Sequence, residues 1–414
     1  MATLDAESIR NDFPILKNSG KYGEKEAQII YFDNACMSLK PQLVIDKIVE
    51  YYKEYPGCSG RSSHSFGNRV SEEVSAARIS ACKFFNSRKE EEIIFTRNTT
   101  EGINLVANSL CLKKGDAVLT TNKEHNSNLL PWQRLSSEKG VIHKIVEVDD
   151  GEGGEEIFLK NFENSIDKGV KLVSMAQTFN LDGSSIPVRD IVKISHDYGA
   201  MVMIDAAQSA PHTEIDVRQY DVDFLACSGH KMLGPTGTGI LYGKYSFLEN
   251  TNPFIEGGGT VVNTTYESAV FEKPPAKFEA GLQDYAGIIG LGVALSYLKP
   301  KLPLLKNHEA KLNRIITEGV LSIKGASTIG PKNPDSRSGI LSFQIEGIDS
   351  KNLAIMLDKS NKIMIRAGAH CVHSWFNSKK ISGSARASLY LYNTEEECKI
   401  FCDAVKKISM FAVK

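Results

Sequence analysis

The stretch AMVMIDAAQ, residues 200–208, decides the fold. Five apolar residues run without interruption into a carboxylate, Asp205, and Gln208 follows three positions later. Such a run reads as a buried strand, and a carboxylate that ends it needs a cationic or hydrogen-bonded partner. The same kind of run recurs on either side: EIIFTR (92–97), AVLTTN (117–122), VIHKIVEV (141–148), KLVSMAQ (171–177) and VDFLACS (222–228), separated by longer amphipathic segments. That alternation predicts an α/β chain with a mainly parallel sheet covered by helices on both faces. A helix-rich passage at 281–320 follows, then three more strands, GILSFQIEG (339–347), KIMIRAGAH (362–370) and SARASLYLY (384–392). Together these predict a second, smaller unit. Thr394 and Glu397 form a capping box at the start of the last helix.

Bulk properties narrow the function. A chain of 414 residues with 42% hydrophobic content buries a large core, divided between two units. The 49 Lys+Arg nearly cancel the 50 Asp+Glu, and no basic block is present to neutralise a phosphate backbone, which argues against nucleic acid as a partner. The amino terminus, MATLDAESIRNDFPIL, lacks a basic segment followed by an apolar core, and no uninterrupted apolar run approaches the length of a membrane span. A cytoplasmic protein without membrane contact is expected. The eight cysteines include no Cys-x-x-Cys pair and do not read as a disulfide framework. Cys398 and Cys402 lie four apart on a helix without an accompanying histidine, so core packing explains them better than a metal.

Ligands of an open parallel sheet sit beyond the carboxyl ends of its strands. After EIIFTR, Thr99 and Thr100 open a helix and offer hydroxyls and free amides of the kind that bind phosphate; a plain N-cap is the structural alternative. After AVLTTN comes His125, and after KLVSMAQ comes Asn180. ACSGHK places Ser228, His230 and Lys231 at the end of another strand, before the flexible GPTGTG. A phosphate cradle, a buried carboxylate and a strand-end lysine are what pyridoxal 5'-phosphate requires: anchorage, a partner for the pyridinium nitrogen and an amine to capture the aldehyde. A nucleotide loop at GPTGTG or at 257–259 is disfavoured, because neither has the Gly-Lys-Ser/Thr ending of a P-loop or the spacing of a dinucleotide fingerprint.

The motifs YFDNA, TRNTTEGINLVA, EHNSNLLPWQ, IDAAQS, SGHKMLGPTGTGILYG, FEAG, IRAGAHC and RASLYLYNT resemble the class V, fold-type I pyridoxal-phosphate enzymes, and among these the SUF-type cysteine desulfurases and selenocysteine lyases. The resemblance implies a large cofactor-binding domain over 22–283 and a small domain over 284–414, with residues 1–21 packing on the small one. It implies that Lys231 carries the cofactor covalently, Asp205 pairs with its ring nitrogen, Gln208 bonds the ring hydroxyl and His125 stacks on the ring. Thr100, Ser228 and His230 would hold the phosphate with Thr99 adjacent, Arg386 and Asn180 would bind the substrate carboxylate, and His64 would lie close to the cofactor. Cys371, between Arg366 and Arg386, would be the nucleophile, in a cationic setting that suits a thiolate. A rival reading takes His370, Cys371 and His373 as metal ligands, but only three candidates cluster there.

The activity implied is conversion of L-cysteine to L-alanine, with sulfur passing to a Cys371 persulfide for iron–sulfur cluster or other sulfur-transfer biosynthesis. Selenocysteine lyase, aminotransferase and carbon–sulfur lyase are the alternatives on the same scaffold. His125 would serve as acid/base near the substrate thiol. A homodimer is implied, although Leu282 and Gln283 stand where the family's cross-subunit threonine follows FEAG. The short loop after Cys371 implies that a sulfur-acceptor protein must approach, across a surface that includes Trp375, Lys379 and Lys380.

Overall fold

The computed structural model describes residues 4–17, 29–148 and 154–410; the expected domain edge at residue 22 lies outside them. A seven-stranded sheet forms the larger layer: β1 (Ile93–Thr96), β2 (Ala117–Thr121), β3 (Ile142–Val146), β4 (Val170–Ala176), β5 (Met201–Asp205), β6 (Phe224–Ser228) and β7 (Gly239–Gly243). Their spatial order is β1-β7-β6-β5-β4-β2-β3, with β7 antiparallel to both neighbours and the other pairings parallel. The quoted run thus forms a central strand. Val202 and Ile204 point into one buried cluster and Met203 into the other, as the two-residue period of a strand covered on both faces demands. Each such side chain contributes about 2 kcal/mol by leaving water.

The strand β7 was not among the expected strands; the loop GPTGTG leads directly into it. SARASLYLY is extended only over Ser384–Ser388, because the Asn393 side chain accepts from the Tyr390 amide and turns the chain there. The smaller sheet has the order β8-β9-β11-β10, from β8 (Ala326–Ile329), β9 (Ile340–Ile345), β10 (Arg366–Gly368) and β11 (Ser384–Ser388), all antiparallel. The capping box at Thr394 and Glu397 is formed.

The helix Tyr285–Leu298 packs against Gln42–Glu54 and Ser65–Phe85 and completes the core of the large sheet, so a division at 283/284 would part it from that core. By length and composition the helical span Tyr285–Leu321 is apolar enough to cross a membrane, although no uninterrupted apolar run within it has that length. Its apolar character is explained by burial in the protein: Lys299–Lys301 breaks it into two helices, and the first is buried almost all round. At the other end of the chain, Arg10 donates to Glu397 at 2.7 Å and to the Tyr392 carbonyl at 2.8 Å, while Ile30 and Phe32 join the small unit's core. The segment that follows, from Asp33, runs between the two sheets.

Candidate active site

The carboxyl ends of β1, β2, β4, β5 and β6 face β10 and β11 across a cavity of about 240 Å³. It is lined by Thr99, Thr100, His125, Asn180, Asp205, Gln208, Ser228, His230, Lys231 and Arg386. Of the residues expected from sequence, only His64 and Cys371 are absent from the lining.

Asp205 ends β5 in register with Ala176 and Ala226, whose small side chains leave room above it. It accepts from the Ala207 amide at 2.9 Å; burial raises its pKa, against that hydrogen bond and the charge of Lys231. Lys231 stands in a tight turn after β6 and makes no hydrogen bond through its ammonium among the described residues. That turn exists because Gly229 has no side chain: a Cβ there would meet Thr238 Oγ1 at 2.3 Å. Burial lowers the Lys231 pKa to about 8, opposed by Asp205 and assisted by Arg386. An amine so placed is a competent nucleophile near neutral pH.

Asn98, not a threonine, caps the helix Thr99–Ser109 by accepting from the Glu101 amide. The threonine hydroxyls are thereby left for other work. Thr99 Oγ1 lies 2.7 Å from Ser228 Oγ, and Thr100 Oγ1 lies 2.7 Å from Ser127 Oγ. These hydroxyls stand at the positive end of the helix, in the arrangement that receives a phosphate. His125 Nδ1 accepts from the Ser127 amide at 3.1 Å, which puts the ring proton on Nε2. Burial and the cations Lys231, Arg366 and Arg386 hold its pKa down to about 3, so the ring is neutral. The buried side chain of Gln208 donates to the Ala35 carbonyl at 2.8 Å and leaves its oxygen unpaired. A free lysine, a buried strand-end carboxylate, an unpaired amide oxygen and a helix end rich in hydroxyls together fit pyridoxal phosphate.

Arg386 is 1% exposed. It donates to the Asn180 carbonyl at 2.9 Å, faces Asp33 at 3.5 Å and keeps Nε without a partner. Arg366, which the sequence reading used only as a flank of Cys371, lines the cavity too, and its Nη2 lies 3.6 Å from Cys371 Sγ. Cys371 and His370 both adopt left-handed backbone conformations, with φ of 60° and 49°. Their turn is pinned: Asn180 Nδ2 donates to the His370 carbonyl at 2.7 Å and the Asn126 amide to the Cys371 carbonyl at 2.8 Å. Cys371 thus sits at the rim, one residue beyond the lining. His370 and His373 turn to different partners, Ser384 and Asn126, and do not converge with the sulfur on a shared point.

His64 lies elsewhere. It is exposed and caps the helix Ser65–Phe85, accepting from the Gly67 amide at 3.2 Å, so the chain does not bring it into its own cavity. Trp375 is not a surface residue either: with Val372 and Phe376 it is buried in a small cluster with Leu181 and Ile329. Sequence reasoning missed Ser127, Cys36, Arg366 and His370 as lining residues. Ser127 could have been found, since it lies two residues from His125 in a run of polar loop residues.

The family model for class V aminotransferases matches residues 30–401. A probable cysteine desulfurase of Synechocystis is 38% identical over 412 residues, 98% of this chain and 96% of the relative. A probable cysteine desulfurase of Pyrococcus abyssi is 37% identical, over 97% of each chain. The apo structure of a cysteine desulfurase from Thermococcus onnurineus superimposes with a TM-score of 0.91 at 35% identity, covering 99% of this chain and all of that one. The chain belongs to the class V aminotransferase family, among its pyridoxal-phosphate-dependent cysteine desulfurases.

Proposed function

We propose that this desulfurase takes sulfur from L-cysteine onto Cys371 as a persulfide and passes it to an acceptor protein for iron–sulfur cluster or related biosynthesis. The observation that carries the reading is the junction of two loops over one cavity. Lys231, Asp205 and His125 line its floor, while Cys371 is fastened to the same loop as His125. Pyridoxal phosphate, when bound, supplies an electron sink for the bonds at the substrate α-carbon. Arg386 and Asn180 hold the substrate carboxylate, which fixes the side-chain sulfur towards the rim. Lys231 Nζ removes and returns the α-proton, and Cys371 Sγ attacks the substrate sulfur as the bond from that sulfur to the β-carbon breaks, its electron pair staying with the carbon, which takes up a proton to become the methyl group of alanine. His125, neutral with its proton on Nε2, exchanges a proton with the sulfur that it faces. Arg366 sets a positive charge beside the attacking atom.

The persulfide would stay near the cavity, because the chain after Cys371 is anchored by the burial of Val372, Trp375 and Phe376. An acceptor must therefore bring its own thiol to the rim; Lys379 and Lys380, at the end of the helix that follows Cys371, are exposed. A homodimer is supported by Leu282, 64% exposed beside the exposed Phe254 and Ile255 in a surface cleft. A cytoplasmic setting suits eight free cysteines. The test is incubation with L-cysteine: alanine together with one added sulfur on Cys371 supports the reading. Keto-acid formation would indicate an aminotransferase instead.

A further inference from the structure

The cavity holds another thiol that this chemistry leaves unused. Cys36 lines it together with Lys231, Arg366 and Arg386, and its sulfur is free. The backbone that presents it is tied on one side to the end of β11 and on the other to the turn that carries Lys231. The Ala35 amide donates to Ser388 Oγ at 2.9 Å, the Cys36 amide to the Asp33 carbonyl at 3.1 Å and the Ser38 amide to the His230 carbonyl at 3.0 Å. The thiol cannot be withdrawn without breaking contacts that also position Lys231. Cys36 lies within electrostatic reach of both Lys231 and Arg386.

The second observation is Arg386 itself. Its side chain is buried, faces the same cavity and carries an Nε donor with no acceptor. A buried guanidinium with an unspent donor calls for an anion, and a planar carboxylate suits its fork. A molecule anchored there by a carboxylate would carry its neighbouring carbon into the part of the cavity that Cys36 walls.

We propose that Cys36 is a second reactive thiol of the active site, a modification site for small electrophiles that bear a carboxylate. The proposal rests on Arg386 as the carboxylate anchor. With iodoacetate as probe, the Cys36 sulfur bonds to the methylene carbon as the carbon–iodine bond breaks. Iodide leaves with the bonding pair, the thiol proton passes to solvent, and no oxidant or reductant is consumed. Amino acids with an electrophilic side-chain carbon would be trapped in the same way, so this chain should be inactivated by them through Cys36 as well as Cys371.

The experiment is peptide mass mapping of the holoenzyme, wild type and Cys371→Ser, after iodoacetate or the neutral iodoacetamide. Exposed Cys111 serves as the internal reference for reagent strength. Because each cysteine is read from its own peptide, the wild type alone suffices if the variant does not fold. Cys36 should favour iodoacetate over iodoacetamide by about tenfold more than Cys111 does, the size of effect that one nearby buried cation supplies, and excess L-alanine should suppress its labelling. Cys36 left unmodified by both reagents while Cys111 reacts would overturn the proposal, and so would equal preference at the two cysteines. Alanine formation by untreated wild type is measured separately, so a failure here is distinguishable from a failure of the desulfurase reading.

Discussion

The Asn126 amide donates to the Cys371 carbonyl at 2.8 Å, and this hydrogen bond, with the one between the Asn126 side chain and His373, joins the loop of the ring-stacking candidate His125 to the loop of the nucleophile. The two halves of the reaction, at the α-carbon and at the sulfur, are held in one frame but use different side chains. Removing one half should leave the other intact.

Cys371→Ala is therefore expected to keep the cofactor absorbance and the spectral change on adding L-cysteine, because Lys231, Asp205 and Arg386 remain. Alanine formation should fall by roughly a thousandfold or more, as for loss of a covalent nucleophile. Turnover within a few-fold of wild type would make Cys371 a structural residue.

Lys231 gives a pH dependence whose sign follows from its environment. Burial lowers its pKa to about 8, so the neutral amine that captures an aldehyde is scarce at pH 6 and abundant at pH 9. Capture of pyridoxal phosphate by the apoprotein should rise about tenfold per pH unit below 8 and level off above it. Borohydride reduction followed by peptide mapping should find the label on Lys231. A rate flat between pH 6 and 9, or a label on another lysine, contradicts the assignment.

Arg386→Ala should weaken cysteine binding more than it slows chemistry, raising KM by about ten- to a hundredfold, the range for a lost charged hydrogen bond of about 1.5–3 kcal/mol. The buried position adds a cost in stability, so the variant's melting curve belongs beside its kinetics. An unchanged KM in a folded variant would remove Arg386 from the substrate site.

Much of this site was legible because one rule applies at five of the seven strands: an apolar run ends and a polar side chain within the next few residues lines the cavity. Thr99, His125, Asn180, Asp205 and Lys231 all follow it. The rule failed where a feature is set by distant contacts. The strand Gly239–Gly243 was hidden because its first residue is a glycine after a flexible-looking loop; the glycine is there because a Cβ would meet Asn98 Cα at 2.7 Å. Trp375 looked like a recognition surface, yet packing against Leu181 and Ile329 buries it, and no local pattern announces partners so far along the chain. His64 was placed by resemblance alone, and in its own chain it caps a helix.

Leu282 tests the proposed dimer. An apolar residue 64% exposed beside Phe254 and Ile255 is costly to leave in water. Leu282→Asp should shift the protein from dimer towards monomer, read by sedimentation at micromolar concentration. A wild type that sediments as a monomer would sink the claim outright.

The central claim is that sulfur leaves cysteine onto Cys371 and waits there, since the buried anchors Val372, Trp375 and Phe376 keep the loop from carrying it outward. A rapid-quench time course with L-cysteine and no reductant tests it most directly, with alanine and the Cys371 peptide mass followed in the same samples. The expected result is a burst of one alanine per active site, matched by one added sulfur on Cys371, and then near-arrest until a reductant or acceptor thiol is supplied. Steady multiple turnover without a burst, or alanine formed with Cys371 unmodified, would contradict it.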